Sequence, residues 1–100
     1  MQNNPTDELK RVHMWVKGRV HGVGFRAHVE YHSLQIGVFG WVRNLGHDTV
    51  ETVAEGTREQ LDQFIEMVKK GPRASRVDEA RVEYEPLTGQ LNGFTVKHSV

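Results

Sequence analysis

Between Gly18 and Arg26 the chain reads Gly-Arg-Val-His-Gly-Val-Gly-Phe-Arg: a β-type run ends in a glycine-bearing loop, and the loop leads into a helix with an arginine in its first turn. These residue types at this spacing describe an anion cradle. Glycines let successive main-chain N–H groups converge on one point, a helix N-terminus adds about half a positive charge, and Arg26 supplies a full one. On spacing alone, Gly22 and Gly24 serve equally well as an ordinary strand-to-helix connection. Arg26 favours the cradle. A cation in a first helical turn opposes the macrodipole, where a helix built only for stability would carry Asp or Glu. A dinucleotide fingerprint is excluded, because the second glycine step is missing and no parallel sheet is expected around it.

Other chemistry-bearing residues are weaker. His28 and His32 lie four apart on a predicted helix face and could supply two imidazole ligands, but no third ligand accompanies them and Glu30 falls outside the H-E-x-x-H pattern. They read as solvated surface histidines, and no metal is expected. His47 falls in a predicted turn near the candidate site; a turn residue is the plainer reading. Nothing in the order of residues singles out a Ser-His-Asp or Cys-His set, and no carboxylate pair stands out from surface acids such as Glu51 and Glu55.

The elements that must position the cradle follow from length and periodicity. One hundred residues support one small domain, and the apolar share suffices for a single two-layer core. Residues 1–10 are polar and are expected to form a disordered leader before a domain spanning 11–100. Strand alternation runs from about Arg11 to Val20, a helix from Phe25 to about Ile36 stopped by Gly37, and strand-like runs cover Val38–Asn44 and Thr49–Glu55 around a turn at Leu45–Asp48. The second helix carries the strongest local signals. Thr57 and Gln60 form a capping-box pattern, Leu61, Phe64, Ile65 and Val68 make one stripe, and Lys69-Lys70-Gly71-Pro72 stops it. Strands over Ala80–Glu85 and Phe94–His98 close the order. The sum is an α+β fold, a ferredoxin-like βαββαβ two-layer sandwich with one extra strand, a mixed sheet of largely antiparallel type, and both helices on one face.

That topology brings in Asn44, by itself an unremarked turn former. In a ferredoxin-like sheet the first and second strands both flank the third antiparallel, so they run the same way and end on one rim. Asn44 then comes out beside the loop and Arg26. One arginine, one amide and main-chain N–H groups hold a phosphoryl group and place a water, yet offer no strong base and no acid. The substrate must bring a good leaving group.

Over nearly its whole length, from about Arg11 to His98, the chain resembles the acylphosphatases. The resemblance rests on Gly18–Arg26, on Gly40-Trp41-Val42-Arg43-Asn44, on Val50–Gly56, and on Lys70-Gly71-Pro72 followed by Arg76-Val77-Asp78. It implies a ferredoxin-like enzyme that hydrolyses the carboxyl-phosphate bond of acyl phosphates without metal or other cofactor. By the same resemblance the catalytic residues are Arg26 and Asn44, and the phosphate-binding residues are His21, Gly22, Val23, Gly24, Phe25 and Arg26. A carboxylate leaving group, with a conjugate acid near about pKa 4, departs without a general acid, in agreement with the residues. The resemblance also suggests that the bound phosphate itself accepts the water's proton. One departure concerns the hairpin: Gly46-His47-Asp48-Thr49 stands where the family usually has an Asp-Gly type turn, which removes glycine from a position expected to need positive φ.

Two other readings compete with this one. RNA-recognition modules share this order of elements but place stacking aromatics on central strands; Thr49–Glu55 has none, and Glu51 and Glu55 would repel phosphates. A regulatory domain of this fold within a larger maturation protein is the other, disfavoured because both catalytic positions are filled and the sequence carries no partner domain. Zero formal net charge argues against nucleic-acid and membrane partners, and the lack of cysteine, of a signal-peptide pattern and of any membrane-length apolar run gives cytoplasm as the expected location. A monomer acting on a small-molecule acyl phosphate is expected.

Overall fold

The computed structural model describes residues 8–100. The elements are β1 (Leu9–Arg19), α1 (Phe25–Ile36), β2 (Phe39–Leu45), β3 (Thr49–Thr57), α2 (Arg58–Lys70), β4 (Arg76–Glu85) and β5 (Phe94–Val96). Strand order across the sheet is β4-β1-β3-β2-β5. β3 pairs antiparallel with β1 and with β2, so those two run the same way, as the sequence predicts. The extra strand β5 lies parallel to β2 and makes the sheet mixed.

Period-two alternation turns Val12, Met14 and Val16 of β1 to one face, opposite Ala54, Thr52 and Val50 of β3. Both helices cover that face. Phe25 and Val29 of α1 and Leu61, Phe64 and Val68 of α2 bury against it in one cluster with Val42 and Phe94. The two helices are built differently at their starts. α2 has its capping box complete, with Thr57 accepting from the Gln60 N–H and Gln60 from the Thr57 N–H, and Glu59 in the first turn. α1 has Gly24 at its N-cap in the left-handed region, φ 79°, with no side-chain cap and no acid in its first turn.

Several boundaries differ from expectation: β2 is shifted by one residue and β3 runs on to Thr57. β1 begins at Leu9, so residues 9 and 10, assigned to the leader, pair with β3, while residues 1–7 of that leader lie outside the described residues. β4 begins at Arg76 and not Ala80, because Arg76 and Val77 pair with Arg19 and Gly18 beyond a bulge at Lys17/Gly18 that interrupts the apolar alternation. β5 ends at Val96. The turn between β2 and β3 is also resolved: its positive φ falls on Gly46 at 65°, and His47 and Asp48 both have negative φ, so no glycine is missing.

Among the described residues no helix lies on the second face of the sheet, which is covered by its own side chains. His13 faces Glu51 at 2.7 Å with Nε2 and Glu85 at 2.6 Å with Nδ1. Arg11 bonds Glu85 and Glu55 at 3.0 and 3.1 Å, and Arg43 donates to Glu51 at 2.7 Å. His13 stacks on Trp15 at 3.8 Å between ring centres, and Trp41 stands edge-on to it.

Candidate active site

β1 delivers the chain into residues 21–24, and the loop turns at Gly22, φ 71°, and Gly24 before α1 starts. Both glycines have open space where a side chain would stand, so only their φ values demand glycine. Phe25 buries in the core and anchors the first turn. Val23 packs against the same cluster. His21 Nε2 lies 2.7 Å from the Thr49 carbonyl oxygen, which ties the loop to β3, and His21 does not line the cleft. Among the described residues, the N–H groups of 22–24 donate to no protein acceptor. They are free for a ligand.

A cleft of about 330 Å³ opens at this point. Gly22, Gly24, Phe25 and Arg26 form one wall, and Asn44, at the end of β2, forms part of the other. Asn44 shares the helix-covered face with Val42, two residues earlier in the strand. Its main-chain oxygen accepts from the Val100 N–H at 3.1 Å, so the strand end is held on both sides, by β3 and by the segment after β5. Arg26 is half-buried and forms no ion pair with a carboxylate among the described residues. Two residues 18 apart in sequence thus line one cleft.

Four further residues line the cleft that the sequence did not single out, Val20 and Ala27 beside the loop and, farther off, Glu30 and Val96. Glu30 lies one helical turn beyond Arg26, and that i,i+4 spacing was the available signal. It puts a carboxylate in the wall of the same cleft as Arg26. Val96 had none, because only the parallel pairing of β5 with β2 carries it there. His47 is exposed in the turn and does not line the cleft. His28 and His32 pack ring to ring at 4.4 Å; burial, then His32 and Lys70, hold His28 below the usual imidazole range. Among the described residues no group of three His, Cys, Asp or Glu side chains could hold a metal ion. No helix of these residues is long and apolar enough to cross a membrane.

The fold defines a class, a small ferredoxin-like domain, and the cleft opens at the uncapped start of its first helix. The sequence profile of acylphosphatases matches residues 12–96. An acylphosphatase of Trichormus variabilis is 44% identical over 98 residues, covering 98% of this chain and 96% of that protein. The crystal structure of acylphosphatase from Bacillus subtilis superposes with a TM-score of 0.84 at 33% identity, over 90% of this chain and 99% of that one. HypF of T. kodakarensis contains a similar domain, with a TM-score of 0.77 at 35% identity, over 88% of this chain and 12% of the larger protein. The chain belongs to the acylphosphatase family and is a hydrolase of acyl phosphates.

Proposed function

We propose that Arg26 and the main-chain N–H groups of residues 21–25 hold the phosphoryl group of an acyl phosphate while Asn44 places the attacking water. The observation that carries this reading is the convergence of an unpaired Arg26, free loop N–H groups and Asn44 on one cleft. The guanidinium fork and the loop N–H groups neutralise charge on the phosphoryl oxygens as water approaches phosphorus in line with the departing group. An oxygen–phosphorus bond forms to water, and the bond from phosphorus to the acyl oxygen breaks. The carboxylate leaves with that electron pair. The water's proton passes to a phosphoryl oxygen, which supplies the base that Arg26 and Asn44 do not. In the same reading the enzyme works as a cytoplasmic monomer on a small molecule and needs no cofactor.

Turnover of benzoyl phosphate tests the assignment. Arg26→Ala and Arg26→Lys should each lose most activity, on the order of a hundredfold or more, since lysine cannot reproduce the planar fork. Asn44→Ala should lose kcat while keeping its affinity for inorganic phosphate, because it acts on water and not on the anion. Full activity in Arg26→Lys, or lost phosphate affinity in a folded Asn44→Ala, would overturn these roles.

A further inference from the structure

The cleft at Arg26 continues past Arg26 and Val96 into a second groove of about 710 Å³. Beyond those two shared residues its walls are Arg43 and the segment Lys97–Val100. Arg26, Arg43 and Lys97 are cations, His98 adds an imidazole, and no Asp or Glu lines the groove. Arg43 spends one donor on Glu51, whose carboxylate also meets His13, so a single negative charge is divided between two partners. The Lys97 ammonium lies 4.5 Å from the centre of the Trp41 ring and has no carboxylate within 4.0 Å among the described residues. Trp41 also carries Arg43, at 5.0 Å, and so steadies both cations through its ring face. The Val100 main-chain oxygen is turned to the Gly46 N–H at 2.8 Å.

Three cations, Arg26, Arg43 and Lys97, therefore line one groove, the last two carried on Trp41. Asn44 lines the cleft and not the groove, so a water at Asn44 and a substrate chain in the groove take different places around the phosphoryl group. Resting on the phosphoryl-binding role of Arg26, we propose that this groove is the subsite for the acyl end, and that it selects acyl phosphates whose acyl group bears a second anionic group. Lys97 is its principal determinant: an unpaired ammonium on an exposed segment, held in place by Trp41.

The test uses two stable phosphonates of equal length, 4-phosphonobutanoate and butylphosphonate, as competitive inhibitors of benzoyl phosphate turnover. They differ by a carboxylate against a methyl group. At low ionic strength 4-phosphonobutanoate should bind about fivefold more tightly, and the preference should shrink with added salt. Lys97→Glu should abolish or reverse the preference, and Lys97→Arg should keep it. Equal inhibition by the two phosphonates, or an unaltered preference in Lys97→Glu, would overturn the subsite while leaving the hydrolase reading intact. Absence of benzoyl phosphate turnover in the unsubstituted protein would instead overturn the phosphoryl-binding reading, and the subsite with it.

Discussion

The two faces of the sheet are sealed by different physics. Toward the helices, Val12, Met14, Val16, Phe25, Phe64 and their neighbours exclude water by apolar packing, which is non-directional and tolerates imprecise placement. On the other face Val53 is 0% exposed with no helix of the described residues above it, and Glu51 and Glu55 are only 6% and 4% exposed. There the cover is a lattice of carboxylates, guanidinium groups and one imidazole, paired at hydrogen-bond distance, with two indoles stacked against them. Glu55 shows the balance. Burial, the largest single influence, pushes its carboxyl upward, yet the Thr88 N–H, Arg11, the Thr88 hydroxyl and the Gly89 N–H together bring it below the ordinary range. A second layer of apolar side chains would have hidden the same strand without such conditions. The contrast teaches that one face owes its stability to area, the other to satisfied partners.

The comparison can be broken or sharpened by substitution. Phe64→Ala on the helix face should cost about 3–5 kcal/mol, read as a fall in the denaturant midpoint, because a fully buried ring leaves a cavity. Glu55→Gln on the open face should cost less, about 1–3 kcal/mol, since it takes away one of the two carboxylates that Arg11 meets, Glu85 remaining, while nearly preserving shape. A cost for Glu55→Gln as large as that for Phe64→Ala would erase the distinction between the faces. The smallest effect lies in pH. Glu55 and Glu85 both sit below the ordinary carboxylate value; for Glu85 burial opposes this, and His13 and Arg11 overcome it. Their stabilisation is therefore complete above the unfolded carboxylate pKa, about 4.3, and is lost as pH falls through the lower folded values. Thermal melts from pH 6 down to pH 2 should show a loss that begins near pH 4, and Glu55→Gln should lose less over the same window. An equal loss in the variant would remove Glu55 from the acid response.

What the sequence reveals divides along the same line. α2 is legible because its capping box and apolar stripe are local, and α1 keeps its predicted bounds, Phe25–Ile36, on a thinner stripe because Gly37 caps it with φ 95°. Arg26 and Asn44 are legible as a pair once strand order is reasoned out. The open face is not. Arg11, His13, Arg43, Glu51, Glu55 and Glu85 are scattered, and only sheet register joins them. Glu51 and Glu55 look like surface acids until His13 and Arg11 are placed across from them. The aromatics sought on β3 stand one strand to either side, as Trp15 and Trp41, with Arg81 over one ring and Arg43 and Lys97 over the other. Chain positions near the C-terminus were silent for a similar reason: Val96 and Lys97 matter only through their neighbours on β2.

The unlike starts of the two helices have a thermodynamic consequence. α2 closes its own first turn through Thr57 and Gln60, so its integrity is independent of what else is in solution. α1 begins at a glycine with open N–H groups and a cation beside them, and an anion in the cleft would complete that turn as a cap does. Occupancy and helix integrity then form one linked equilibrium. In the proposed role, a phosphoryl group bound there would stabilise the fold in proportion to the logarithm of its concentration over its dissociation constant, and each hydrolysis cycle would end by uncapping that helix.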